Sequence, residues 1–136
     1  MSAAFADSFY YIALLNRGDA AHEAARRLSE SATGPTVTTT WVLIEVADAL
    51  SDPALRRGAV RLIGALRADP DCLIVPASEE MFGRGLDLYA KRADKDWSLT
   101  DCISFVVMRE RGLSEALTGD HHFEQAGFTP LLRRQG

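Results

Sequence analysis

Apolar and polar positions along this chain follow two periods, and the switches between them mark its elements. AAFA (3–6) is a short apolar run of the kind a buried strand needs. Asp7-Ser8 then opens a helix, FYYIALL (9–15), which Gly18 closes. DAAHEAARRL (19–28) takes Asp19 as its N-cap and sets Ala21, Ala24, Ala25 and Leu28 on one face at helical spacing. Gly34-Pro35 breaks that pattern, and the β-branched TVTTT (36–40) reads as a second strand. WVLIEVADAL (41–50) is a nearly all-apolar helix with Glu45 inside it. Asp52-Pro53 supplies a capping acid followed by proline at the first helical position. Leu55, Ala59, Leu62, Ile63 and Leu66 then form an apolar stripe, with Arg56, Arg57, Arg61 and Arg67 largely off it. Asp69-Pro70 ends that helix and CLIVP (72–76) is a third strand. Ser78 caps the next helix, with Glu79 and Glu80 suited to its first turn. The charged loop KRADKDW (91–97) leads into the helix of WSLTDCISFVVM (97–108), which Gly112 ends. EALTGD (115–120) holds a fourth strand, Asp120 opens a short turn or helix, and FTPLL (128–132) is a fifth strand.

Strands alternating with helices predict a parallel sheet covered on both faces, a three-layer α/β/α sandwich. At 136 residues the chain is expected to be one domain over 1–136. Its 47% apolar and 25% charged residues fit a folded globule rather than a disordered segment. No apolar run approaches the ~20 residues of a membrane helix. The run at 9–15 follows Asp7 with no basic residue before it, unlike a signal peptide. Cys72 and Cys102 form no CxxC or other metal spacing; they are expected as buried thiols of a reducing compartment, the cytosol. The net charge of −4 argues against a protein that coats nucleic acid with a basic face. It leaves room for an enzyme that meets phosphates through metal cations. Neither GxGxxG after the first strand nor GxxxxGK[ST] is present, which weakens a nucleotide-binding reading.

Sites in open parallel sheets form at the carboxyl ends of the strands. Asp7 directly follows the first strand and Asp120 the fourth. Glu45 lies about one turn into the helix after the second strand, and Asp101 begins the helix that returns to the fourth. All four acids are therefore expected at one rim. Each also has a plain reading. Asp7 and Asp101 suit helix starts, and Asp120 in TGDHHF suits a turn. Glu45 resists the plain reading best. A carboxylate amid Trp41, Val42, Leu43, Ile44, Val46 and Ala47 is costly unless it is exposed, paired or bound to metal. Carboxylates brought together repel one another, and Mg2+ or Mn2+ relieves that repulsion with the oxygen ligands it prefers.

Asp7-Ser8 after the first strand, Glu45 in WVLIEVADAL, Asp101 in WSLTDCISF and Asp120 in TGDHHFEQAGF together resemble the PIN-domain nucleases, in order and spacing, over essentially the whole chain. The length is similar to that of VapC-type toxins and related small stand-alone PIN proteins. The resemblance implies a Mg2+- or Mn2+-dependent endoribonuclease with Asp7, Glu45, Asp101 and Asp120 as its metal site, Asp7 and Asp101 holding the main ion. It further implies a five-stranded sheet in the order 3-2-1-4-5, an RNA substrate, a homodimer and a small antitoxin partner. A divalent ion in such a site makes water nucleophilic near neutral pH and neutralises charge on the phosphodiester. A housekeeping PIN ribonuclease, or a catalytically idle PIN-like module that binds RNA or protein, are the alternatives; four acids in place speak against the idle one.

Around this set, Ser8 and Thr100 are expected to orient the carboxylates or contact phosphate, or simply to cap helices. Asp96 is expected as a solvated loop residue more than an outer acid. His121 and His122 are adjacent and expected to point in different directions, which disfavours zinc. Trp97 is expected to pack near its loop rather than stack on a base, and Phe9, Tyr10 and Tyr11 to make core or dimer contacts. The arginines of the 53–68 helix are either a solvated face or a local positive field for RNA.

Overall fold

The computed structural model describes residues 2–132. Five strands form one sheet: β1 (Ala4–Ala6), β2 (Thr36–Thr39), β3 (Cys72–Val75), β4 (Glu115–Leu117) and β5 (Thr129–Pro130). Their order is β3-β2-β1-β4-β5, as the resemblance implied. Every neighbouring pair is parallel, with Phe5 opposite both Val37 and Ala116. The helices among the described residues are α1 (Ser8–Leu15), α2 (His22–Ser31), α3 (Thr40–Ala49), α4 (Pro53–Ala68), α5 (Glu79–Lys91), α6 (Leu99–Glu110) and α7 (His121–Gln125). They pack in two sets: α1 against α2, α3 and α4, and α6 against α5 and α7. The expected α/β/α sandwich is the fold found.

Local chemistry explains the boundaries. Thr39 ends β2, because its hydroxyl accepts the Val42 amide at 3.1 Å and caps α3. The strand is therefore one residue shorter than TVTTT suggests. Asp19 does not cap α2. Its carboxylate closes a turn onto the Ala21 amide at 2.8 Å, and the helix starts later, at His22. α1 stops at Leu15, ahead of Gly18, with Asn16 as its C-cap. Asp52 and Pro53 start α4 as expected, the Asp52 carboxylate accepting the Ala54 amide at 2.8 Å. Gly112 ends α6 at φ +65°, a left-handed conformation glycine enters freely. β5 covers only Thr129–Pro130 of the expected 128–132; it pairs with β4 alone, and an edge position suits a proline that has no N–H to give.

Burial is concentrated where the two helical sets meet the sheet. Phe5, Val42, Val46, Phe105, Met108 and Phe123 are fully buried. α5 lies so close to α6 that a Cβ on Gly85 would collide with Ile103. An Arg84–Glu110 ion pair joins the same two helices. Trp97, Phe105, Phe123 and Phe128 form a ring cluster with successive centroids to Phe105 at 5.0, 4.9 and 5.7 Å. Each such pair contributes ~0.5–1.5 kcal/mol beyond its buried area. This cluster matters for the site, because it fixes the loop before α6 and the helix α7 against each other. The Trp97 indole N–H completes it by donating to Gln125 Oε1 at 3.0 Å. Trp97 is thus a packing residue, as expected, and Tyr10 and Tyr11 belong to the core. Cys102 is buried, but Cys72 is only half-buried, because it stands on β3, an edge strand with a neighbour on one side only.

Candidate active site at the carboxyl edge of the sheet

Asp7 stands one residue past β1 and is 3% exposed. It occupies the N-cap position of α1, yet its side chain makes no capping bond. Instead Oδ2 accepts the Thr118 hydroxyl at 2.8 Å. The same hydroxyl accepts the Asp120 amide at 3.1 Å, so one threonine after β4 holds both the first acid and the loop of the last. Burial is the main reason the Asp7 carboxyl is pushed up to about 7; Asp101 and Glu45 raise it further, while the hydrogen bonds from Thr118 and Ser8 oppose the rise.

Glu45 is half-buried on α3, where the Ser8 hydroxyl donates to Oε1 at 2.9 Å. Its carboxyl is also raised, by burial first and then by Asp101, Asp120 and Asp48, against the Ser8 bond. Asp101 is not the N-cap of α6. Ser98 is, and Asp101 sits three residues in: the Ser98 hydroxyl accepts the Asp101 amide at 3.0 Å while Asp101 Oδ2 accepts the Ser98 amide at 3.2 Å. This reciprocal capping box satisfies two orphan donors of the helix and fixes the carboxylate. His122 Nδ1 reaches the same Oδ2 at 3.0 Å. When Asp101 is ionised its carboxylate only accepts, and Nδ1 is then the donor. Burial and then Asp120 push the Asp101 carboxyl up, against the His122 and Ser98 bonds. Asp120 caps α7, its Oδ1 accepting the His122 amide at 2.9 Å.

In Glu45, Asp101 and Asp120 these hydrogen bonds all go to one oxygen; the second takes none among the described residues. The four acids line one open cavity of about 350 Å³, together with Ser8, Phe9, Ile12, Asp96, Ser98 and His122. A larger groove of about 610 Å³ is lined by Leu43, Ile44, Ile63 and Ile74 among others and carries no acid. Acid density, not size, marks the candidate site.

The supporting residues differ from expectation in part. Ser8 is in the cavity but Thr100 is not, because one step before Asp101 turns it ~100° around the helix axis. Asp96 is exposed, as expected, and still lines the cavity rim. His121 and His122 do not diverge. Their rings lie 4.4 Å apart, both drawn to Asp120, with His121 exposed. Asp120, His121 and His122 can each bring a ligand atom within 4.8 Å of the others. Nδ1 of His122 is already committed to Asp101, which weakens that nitrogen-rich set. Thr118 and Ser98 carry no expectation from the sequence, and His122 carries one only as a disfavoured zinc ligand beside His121. The signal for Ser98 was available, since serine three residues before an acid ahead of an apolar run is a capping-box pattern.

A PIN-domain model matches residues 4–129. The chain belongs to the PIN-domain family. Two curated relatives are 30% identical over 127 residues, 93% of this chain and 96% of theirs. Both are named 23S rRNA-specific endonuclease VapC20, from Mycobacterium tuberculosis strains CDC 1551 / Oshkosh and ATCC 25618 / H37Rv. A crystal structure of Mycobacterium tuberculosis VapC20, described as a sarcin-ricin loop cleaving toxin, superimposes with a TM-score of 0.86 at 28% identity, covering 96% of this chain and 98% of that one. This PIN-domain chain is thus a homologue of VapC-type ribonuclease toxins. None of its described helices is long and apolar enough to cross a membrane.

Proposed function

We propose that this chain, one PIN domain over 1–136, is a metal-dependent endoribonuclease that hydrolyses RNA phosphodiester bonds. In this reading it is the toxin of a toxin–antitoxin pair, acting in the cytoplasm. The observation that carries the reading is the convergence of Asp7, Glu45, Asp101 and Asp120 on one open cavity in a chain homologous to VapC20.

The donor set fits Mg2+, or Mn2+. It is all oxygen, several of its oxygens take no hydrogen bond among the described residues, and burial with mutual repulsion raises three of the four carboxyls, a strain that a cation relieves. Asp7, Asp101, Glu45 and Asp120 would hold the ion, Asp7 and Asp101 foremost. When bound, it supplies a nucleophilic water near neutral pH and neutralises charge on the phosphate. The chain's own part is to fix the ligands. Thr118 holds Asp7, Ser8 holds Glu45, and Ser98 with His122 holds Asp101. Ligands held this way need no rearrangement when charge develops, which is where such sites gain their rate.

By likeness to the relatives, the substrate is a structured RNA, with 23S rRNA and its sarcin-ricin loop the leading candidates. A small antitoxin protein and a second copy of the chain are the expected partners. The test is digestion of total cellular RNA by purified protein with Mg2+, with Mn2+ and with EDTA, beside Asp101→Asn. Discrete fragments that require metal and vanish in the variant support the reading. Equal background in every lane, from folded protein free of antitoxin, sinks it in favour of an idle binding module.

A further inference from the structure

Phe9 stands apart from the other aromatic residues of α1. Tyr10 and Tyr11 are buried, whereas Phe9 is 37% exposed and forms an apolar wall of the acidic cavity. It is not loosely placed. Its ring crosses from the start of α1 to the loop after β4 and rests on Gly119, where a Cβ would lie 2.7 Å from both Cε1 and Cζ. Only glycine leaves that seat open, and Gly119 sits between Thr118 and Asp120, the residues that carry the first and last acids. An exposed aromatic ring seated beside a phosphate-cleaving centre costs burial energy and has no polar role. Whatever binds next to the phosphate of an RNA is a nucleoside, and its base presents an apolar face.

We propose that Phe9 is a base-stacking platform: an unpaired nucleobase adjoining the phosphate that enters the acidic cavity lies on its ring. Stacking of this kind is sequence-tolerant, since every base has a π-face, and it selects unpaired over paired nucleotides. It gives a net-acidic protein a hold on RNA that does not depend on basic residues. The inference rests on the ribonuclease reading.

The test uses a fluorescently labelled single-stranded oligoribonucleotide and its versions with one abasic nucleotide at each position. Dissociation constants are measured on otherwise wild-type protein with Ca2+ in place of Mg2+, which keeps a cation on the oxygen ligands, and the RNA is checked on a gel to be intact after each titration. Phe9→Tyr should bind within about twofold of Phe9, and Phe9→Leu, which keeps an apolar wall, should bind roughly tenfold or more weakly. For the abasic oligonucleotide that removes the stacked base, Phe9 and Phe9→Leu should bind alike. Equal binding by Phe9 and Phe9→Leu on intact RNA overturns the proposal. So does a loss of the same size on every abasic version, which means packing rather than stacking. If Phe9→Leu instead disrupts the oligomer and leaves RNA affinity unchanged, the ring belongs to a subunit contact and the proposal fails. Wild-type protein that cleaves RNA under any of these outcomes preserves the ribonuclease reading; wild-type protein that neither binds nor cleaves RNA removes both.

Discussion

Thr118 and Asp7, 111 positions apart in the chain, share a buried hydrogen bond of 2.8 Å across the carboxyl ends of β4 and β1. Thr118→Val keeps the shape and removes the donor. A buried carboxylate oxygen left without its partner costs ~1–3 kcal/mol. Loss of the bond also raises the Asp7 carboxyl further, so Mn2+ binding weakens. Thr118→Ser, which restores a hydroxyl, should recover most of both. Thermal melts and calorimetric Mn2+ titration of the two variants check this; a Val variant that matches wild type in both would show that the bond orients nothing.

Stability of the metal-free protein should fall as pH rises. The Asp7 carboxyl holds its proton to about pH 7 in the folded chain and releases it near its ordinary 3.8 when unfolded. Between those values the folded state binds more protons, so the penalty is absent below pH 4 and complete above pH 7. For Asp7 it amounts to about 4 kcal/mol. Glu45 and Asp101 are raised too and act in the same direction. In EDTA the melting temperature should be higher at pH 5 than at pH 8, and Asp7→Asn should flatten the difference. Mg2+ should stabilise more at pH 8, where protons no longer compete for the carboxylates. A melting temperature that climbs from pH 5 to pH 8 in EDTA would contradict the site electrostatics.

His122 should matter through Asp101. Removing its Nδ1 donor frees the carboxylate to rotate, and outer partners of this kind are worth roughly 10–100-fold in metal affinity or activity. His122→Ala should lose that much RNA cleavage. His122→Asn places an amide donor near the Nδ1 position and should recover part of it, with Mn2+ affinity tracking the rate. Equal activity in the alanine variant would remove His122 from the site.

Much of this architecture was legible because it is written in local chemistry. Asp52-Pro53 starts a helix through a capping carboxylate and a preset φ, and the β-branched run at 36–39 makes a strand. The placement of Asp7, Glu45, Asp101 and Asp120 on one rim followed from topology alone, once strands and helices alternated. What the chain did not announce is long-range or competitive. Thr118 is an ordinary threonine until β4 lies beside β1. Asp19 and Ala21 form a local turn that wins over helix capping. The two histidines lie together because Asp101 takes Nδ1 of His122 while Asp120 lies beside both rings, a fact about the folded acids rather than about the histidines' spacing. Cys72 is half-buried because its strand is at an edge, which no single segment encodes.

The most direct test of the central claim is calorimetric titration of Mn2+ into wild-type protein and into Asp101→Asn, both free of antitoxin. Asparagine keeps the size of the side chain and an oxygen for the Ser98 amide while removing the charge the ion needs. The account predicts saturable binding by wild type and its loss in the variant, with the metal-free variant folded and at least as stable above pH 7. Undiminished Mn2+ affinity in Asp101→Asn would contradict it, and would move the metal to another set such as Asp120, His121 and His122.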